Sequence, residues 1–126
     1  MLKTTAVICF LLGNFFIVGS SFGGKCDDAY EMSSQQTKNY PKLINLWTQC
    51  LEEGLGCDSQ RATIHLNRGI AYYNNAEYDE SIADFTAAIK LNPKYAKAYK
   101  YRAIVLRKIG NEAKAKADDE KANKIN

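Results

Sequence analysis

The sequence lacks the side chains from which most catalytic and metal sites are built. It has a single histidine, His65, and no Cys-x-x-Cys pair, so it offers too few ligands for a zinc site. We identify neither a nucleophile elbow nor a glycine-rich phosphate-binding loop. The carboxylates cluster at residues 27–28, 52–53 and 118–120, where solvation on helix faces or ends explains them. These absences predict a protein without enzymatic activity, metal or cofactor.

Neither sign of charge is in large excess. Setting Lys3 aside from the 17 basic residues leaves 16, against 14 acidic residues. A surface that binds nucleic acid needs a strong basic excess or a basic stripe, because the phosphate backbone dominates its affinity. The composition therefore predicts no nucleic-acid partner. His65 is expected to fill the core rather than to act as a general base.

Long apolar runs are also scarce, and the one present spans residues 6–18. Lys3 precedes this run and small residues follow it, a pattern typical of a secretory signal peptide. We predict residues 1–20 as the signal, cleaved after Ser20, and residues 21–126 as one domain that is periplasmic or secreted. The alternative is a retained membrane anchor, although the run is shorter than the ~20 residues that a spanning helix needs. A membrane partner is expected only in that case.

From residue 62 onward, apolar residues recur at helical spacing, with breaks at residues 74–77, at Pro93 and at residues 110–111. This pattern predicts two consecutive helical hairpins. A period of about 34 residues with two helices per unit is that of a helical repeat array. Shifted by one such period, the sequence matches itself at Ala62 and Ala96, Arg68 and Arg102, Ile70 and Ile104, Ala83 and Ala117, Asp84 and Asp118, Ala88 and Ala122, Lys90 and Lys124, and Asn92 and Asn126.

The middle unit has a characteristic set of small, large and helix-ending residues. The small ones are Gly69, Ser81 and Ala88, the large ones are Tyr72, Tyr78 and Phe85, and Pro93 ends the second helix. In these residues the unit resembles the tetratricopeptide repeat. The resemblance implies an all-α fold, in which three antiparallel helix hairpins stack as a short right-handed superhelix. The units are expected at about residues 25–58, 62–95 and 96–126.

The two outer units depart from this pattern. In the last unit, Lys116 and Asp119 replace the apolar Ile82 and Phe85, which is typical of a polar terminal cap. The first unit is degenerate. Residues 40–51 copy the spacing of the middle unit's second helix, but the helix before them, from near Cys26 to Gln36, has few apolar residues.

Three cysteines follow the predicted signal, and an exported chain favours disulfide bonds between them. Cys26 opens the first helix and Cys57 lies in the loop after the second, so an antiparallel hairpin would place both at one end. We therefore predict a Cys26–Cys57 bond, with Cys26–Cys50 as the alternative. Cys50 also occupies the position of Ala88, so a small buried side chain would explain it.

In the resembling family, the first helix of each unit lines a concave groove that binds a partner. Asn67 and Lys97 match two positions of the family's carboxylate clamp, whereas Asp28, Met32 and Tyr101 do not. We expect an extended, acidic or carboxylate-ended segment in this groove; the alternative is that its cations are merely solvated. The resemblance assigns to the groove Thr63, Leu66, Asn67, Ile70, Tyr73, Asn74, Lys97, Lys100, Tyr101, Ile104, Arg107 and Lys108.

These features together predict a non-enzymatic scaffold outside the cytoplasm that binds a short peptide segment of another protein. Self-assembly into a homo-oligomer with a structural role is a second hypothesis. A membrane-anchored factor in envelope assembly is a third, which applies if the apolar segment is not cleaved.

Overall fold

The computed structural model of the chain describes residues 24–35, 37–54 and 56–125. This part of the chain is all-helical and contains no strand, which confirms the predicted fold class. The predicted signal peptide lies outside the described residues. None of the described helices combines the length and the apolar character needed to cross a membrane. The helices are α1 (Lys25–Ser34), α2 (Tyr40–Glu52), α3 (Asp58–Asn74), α4 (Tyr78–Leu91), α5 (Ala96–Lys108) and α6 (Glu112–Ile125).

The helices pack in chain order. Each one contacts the next along the sequence, and α3 also contacts α5 across the boundary between hairpins. The pairs α1–α2, α3–α4 and α5–α6 are therefore three hairpins stacked side by side. The contact of α3 with α5 makes the first helices of the second and third hairpins neighbours, as expected for a repeat array.

Local signals explain where several helices begin. At the start of α2, the Asn39 side chain accepts a hydrogen bond from the Lys42 backbone N–H at 3.2 Å, with Pro41 in the first turn. At the start of α3, Gln60 Oε1 accepts from the Cys57 backbone N–H at 3.0 Å. These bonds satisfy backbone donors that a helix leaves without partners at its N-terminus.

The turns inside the second and third hairpins share one unusual backbone conformation. Gly110, in the turn between α5 and α6, has φ of 82°. Ala76 is its counterpart one repeat earlier and has φ of 62°, although it carries a Cβ. The left-handed region favours glycine, so the turn geometry is imposed at Ala76 against the preference of the residue.

The middle hairpin closes tightly because Gly69 lacks a side chain. A Cβ on Gly69 would lie 2.7 Å from Cε1 of the buried Phe85 ring. In the third hairpin the corresponding residues are Ala103 and Asp119. Ala103 is fully buried there, and its Cβ is tolerated because Asp119 replaces the ring that excludes a Cβ in the middle hairpin.

The third hairpin carries polar side chains where the middle hairpin has apolar ones. Lys116 is exposed, and Asp119 pairs with Arg107 of α5. Arg107 also donates to Glu112 Oε1 at 3.2 Å. The repeat position of the buried Phe85 is therefore occupied here by Asp119, which forms an ion pair that water can reach.

The first hairpin has its own small core around Trp47. The Trp47 ring is fully buried and meets the edge of Tyr30 at 4.8 Å between ring centroids. Leu43 and Ile64 belong to the same cluster, so the first hairpin is joined to α3 through apolar contact. This core compensates for the short α1 and its few apolar residues.

The disulfide bond of this hairpin corrects the prediction. Cys26 is bonded to Cys50 rather than to Cys57, and their Cα atoms lie 4.7 Å apart. Both cysteines are fully buried. The antiparallel arrangement brings the start of α1 against the last turn of α2, where Cys50 points inward like Ala88. Cys57 lies farther along, past Gly54 and at the N-terminus of α3.

Candidate functional site

A cleft of about 270 Å³ opens between the first and second hairpins. α3 contributes Asn67, Ile70 and Asn74 to its wall, all from the predicted groove. The facing wall includes Ser33 at the end of α1 and Thr37 in the turn that follows. Hydroxyl and amide groups therefore surround an apolar floor at Ile70, and the lining residues carry no charge.

The groove continues along α5 with a different character. Lys97, Ile104 and Lys108 occupy the repeat positions of Thr63, Ile70 and Asn74, so they form the same helix stripe one unit later. Because α3 and α5 are in contact, the two helices that carry these stripes are neighbours. The lysines are exposed, and so is Ile104, with 43% of its surface accessible.

The lysines of this second stripe are Lys97, Lys100 and Lys108. None of them forms an ion pair with the described residues of the chain. The Lys97 ammonium group lies 5.9 Å from the centre of the Tyr101 ring, within range of a cation–π contact. The groove thus runs from a neutral polar end to a cationic end.

Other predicted groove residues are engaged elsewhere. Leu66 is buried, with 1% of its surface accessible, so it belongs to the core and not to the groove lining. Tyr101 is half-buried and stacks on Phe85, with 5.8 Å between ring centroids. Arg107 faces α6, where it pairs with Glu112 and Asp119. Thr63 donates its hydroxyl to the Ser59 carbonyl at 3.0 Å and Tyr73 packs on Tyr78.

The first hairpin places the two residues at its clamp positions, Asp28 and Met32, away from the cleft. Asp28 and Met32 lie together around a separate depression with Lys42 and Leu46 of α2. The residue of α1 that reaches the cleft is Ser33. The groove therefore has no cation from the first hairpin.

Two hydrogen-bond networks, each centred on an arginine, join neighbouring hairpins in the described part of the chain, and the sequence analysis did not predict them. Arg68 donates to both carboxylate oxygens of Asp84, at 2.7 and 2.9 Å. The same guanidinium donates to the Thr48 hydroxyl at 3.0 Å. Thr48 is on α2, Arg68 on α3 and Asp84 on α4, so one side chain joins three helices of two hairpins. We call the set Thr48, Arg68 and Asp84 the first joint.

The second joint repeats this geometry at the next boundary. Arg102 donates to both oxygens of Asp118, each at 2.8 Å, and to the Thr86 hydroxyl at 3.0 Å. Thr86 in turn donates to the Ile82 carbonyl at 2.7 Å. Thr86, Arg102 and Asp118 come from α4, α5 and α6, so the joint again ties one hairpin to the next.

Burial and hydrogen bonds set the charge state of the first joint. Burial raises the pKa of Asp84, but hydrogen bonds from Arg68 and His65 outweigh burial, and the pKa lies below its ordinary value. The hydrogen bond to Asp84 raises the pKa of Arg68. Because His65 Nδ1 lies 2.8 Å from Asp84 Oδ1, the histidine belongs to this structural network. In the described part of the chain, no group of three or more His, Cys, Asp or Glu side chains could hold a metal ion.

A signal for the joints was present in the sequence. The separation along the chain from Arg68 to Asp84 is the same as that from Arg102 to Asp118. Opposite charges repeated at one spacing in two units indicate a pair within each hairpin. The threonines were harder to find, because they belong to the preceding hairpin.

Comparisons with known proteins agree with this architecture. Two models of the tetratricopeptide repeat match residues 62–95 and 85–117. Tetratricopeptide repeat protein 28 of Homo sapiens is 37% identical over 65 residues, 52% of this chain. The DnaJ homolog subfamily C member 7 homolog of Dictyostelium discoideum is 31% identical over 90 residues, 71% of this chain. The chain spans only 3% and 17% of the lengths of these two relatives.

Solved structures share the fold. The second TPR of Spaghetti (RPAP3), bound to the HSP90 peptide SRMEEVD, has a TM-score of 0.70 and 25% identity. The likeness covers 81% of this chain and 89% of that one. A MamA mutant has a TM-score of 0.72 and 19% identity, covering 86% of this chain and 75% of that one.

Proposed function

Because this chain belongs to the tetratricopeptide repeat family, we propose that it is an adaptor that binds a short acidic segment of a partner protein and catalyses no reaction. The segment lies along the stripes of α3 and α5. Its acidic part contacts the lysines of α5, and its other end enters the cleft beside α3.

The observation that carries this proposal is the set of exposed cations on α5. Lys97, Lys100 and Lys108 stand beside the exposed Ile104 and are not neutralised by described residues of the chain. A carboxylate placed there gains charge-assisted contacts without breaking an existing ion pair. An apolar side chain next to that carboxylate would cover Ile104. An acidic segment with an interspersed apolar residue therefore fits the stripe.

A known complex supports this choice of partner. The structure of the second TPR of Spaghetti (RPAP3), 25% identical to this chain, holds the HSP90 peptide SRMEEVD. That peptide has two glutamates, a valine and a terminal aspartate, and so combines acidic and apolar groups. This chain keeps Asn67 and Lys97 for such a ligand, but Asp28 and Met32 lie away from the cleft. We therefore expect side-chain carboxylates to matter more than the terminal carboxylate.

We also propose that the domain works outside the cytoplasm. The apolar segment at residues 6–18 has the pattern of an export signal, and the Cys26–Cys50 bond suits an oxidising compartment. Expression of the full chain in a secreting host, followed by mass spectrometry of the product, tests this proposal. A mature chain that starts at Ser21 would support it, and an intact chain that starts at Met1 and is recovered from the soluble cytoplasmic fraction would contradict it.

Fluorescence anisotropy with a labelled SRMEEVD peptide tests the groove. The variant Lys97→Glu/Lys100→Glu should weaken binding at least about tenfold, because two attractive contacts become repulsive. It should also reduce the dependence of the Kd on salt concentration. An amidated peptide should bind within about threefold of the free acid if side-chain carboxylates carry the affinity.

The matched control is Lys121→Glu/Lys124→Glu, which makes the same change of net charge on exposed positions of α6. This control should bind the peptide nearly as well as the unmodified chain at about 0.15 M salt, where screening limits distant charges. Equal losses in both double variants would show that net charge alone drives binding, and the groove proposal would be wrong.

A further inference from the structure

A second concavity lies away from the groove, between α4, α5 and α6. Its volume is about 320 Å³. Ile82 and Thr86 of α4, Arg102 and Leu106 of α5 and Lys114 of α6 contribute to its wall. None of these residues lines the cleft beside α3. We call this concavity the Leu106 cavity, and it lies directly beside the second joint.

The first joint shows what such a place can hold. The residue one repeat before Leu106 is Tyr72, on α3. The guanidinium carbon of Arg68 lies 5.8 Å from the centre of the Tyr72 ring. At the first joint, the chain itself therefore places a phenol ring against the joint arginine.

The second joint keeps the arginine but loses that ring. Leu106 is shorter than tyrosine and leaves a cavity beside Arg102. Arg102 instead contacts Tyr99, which occupies the repeat position of His65. The guanidinium carbon of Arg102 lies 5.8 Å from the centre of the Tyr99 ring. The two arginines thus make matching hydrogen bonds, each to both oxygens of an aspartate and to a threonine hydroxyl. The joints differ in the His65 contact to Asp84 and in whether this chain fills the place of Tyr72.

We propose that the Leu106 cavity binds a tyrosine side chain of a partner protein, in the manner in which the first joint holds Tyr72. The guanidinium of Arg102 is fixed by Asp118 and Thr86, so it meets the ring without losing mobility on binding. Ile82 and Leu106 supply apolar contact. Lys114 replaces Glu80 of the middle hairpin and offers a donor to the phenol oxygen.

Methyl-group NMR of the chain, titrated with N-acetyltyrosinamide, tests the proposal. Saturable shifts are expected for the Ile82 and Leu106 methyl groups. The analogue with a cyclohexyl ring in place of the phenol ring should bind about two- to fivefold more weakly, since it lacks the cation–π contact. Absence of saturable shifts at these methyl groups, or equal binding of the two compounds, would overturn the proposal.

Two variants swap the side chains that distinguish the joints: one places a tyrosine at the second joint and the other a leucine at the first. Leu106→Tyr should fill the cavity and abolish the shifts at Ile82. Tyr72→Leu should open a second site at the first joint, seen as new saturable shifts at Ile44, whose carbonyl accepts a hydrogen bond from Thr48 of that joint. If Leu106→Tyr fails to fold, Tyr72→Leu decides alone, and the lack of a second site would contradict the proposal.

Peptide binding in the groove separates this inference from the proposed function. Leu106→Tyr should bind SRMEEVD with unchanged affinity, because the cavity and the cleft share no lining residue. Lys97→Glu/Lys100→Glu should still show the N-acetyltyrosinamide shifts. Each proposal can therefore fail without the other.

Discussion

Replacing Arg68 by methionine removes the centre of the first joint but keeps much of the aliphatic chain that packs beside Tyr72. The Asp84 carboxylate then remains in place with 6% of its side chain exposed. Of the partners that the structure shows for it, only His65 is left. A buried charge that loses its main partner is a large destabilising change.

The expected size follows from the burial of the two partners. Breaking a buried ion pair by removing one partner costs about 3–5 kcal/mol. Arg68 retains 18% exposure of its side chain, so water reaches the pair and the lower end applies. We expect Arg68→Met to lower the free energy of unfolding by about 3 kcal/mol. Asp84→Asn should cost a similar amount, since it leaves the guanidinium without its carboxylate.

The double variant Arg68→Met/Asp84→Asn is the informative measurement. It contains neither buried charge, so it should cost no more than either single variant, at most about 3 kcal/mol. The coupling energy between the two side chains is then at least about 3 kcal/mol. Urea unfolding followed by circular dichroism gives each value.

Strict additivity, with a loss of about 6 kcal/mol in the double variant, would refute the reasoning. The matched comparison is Arg102→Met at the second joint, where the side chains are 21% and 9% exposed, so water reaches this pair more easily than the first. Its cost should be smaller, about 2 kcal/mol.

Three other predictions concern the turns, the disulfide bond and acid stability. Ala76→Gly should raise the free energy of unfolding by about 0.5–1 kcal/mol and Gly110→Ala should lower it by as much, because both positions have positive φ. Melting temperatures that shift in the same direction in the two variants would contradict this. Cys26→Ala/Cys50→Ala should lower the free energy of unfolding by about 3 kcal/mol in the chain-entropy model, because the bond closes a loop with a sequence separation of 24. If the unmodified chain has the same melting temperature with and without reductant, this prediction is wrong. The lowered pKa of Asp84 contributes stability that is complete above about pH 4 and is lost as the pH falls through the folded-state pKa. The urea concentration at the unfolding midpoint should therefore fall on acidification. It should fall less in Asp84→Asn, which lacks this carboxylate.

The fold was predictable because its determinants repeat. Apolar spacing and the breaks at Pro93 and Gly110 were sufficient to give four helices, and the repeat period gave their pairing. The disulfide partner of Cys26 was not predictable in the same way. It depends on the rotation of α1 about its axis, and a short helix with few apolar residues carries too weak a pattern to fix that rotation.

The site was predictable as a stripe but not as a set of contacts. Position in the repeat placed Asn67, Ile70 and Lys97 along one face, but it could not show that Leu66 is buried. Arg107 illustrates the limit best. Its position in the repeat favours the groove, whereas its partners Glu112 and Asp119 lie on α6, on the other side of the hairpin turn.

The arrangement of the joints has a consequence for how such an array could lengthen. Every hairpin after the first carries its own arginine and aspartate, and α4 also carries the threonine that the next arginine requires. A tandem duplication of residues 62–95 would therefore bring a complete connection with it. Thr86 of the first copy would meet Arg68 of the second, and Thr86 of the second would meet Arg102. Each added unit thus brings the arginine, the aspartate and the threonine that its boundaries need, and growth by whole units requires no compensating substitution.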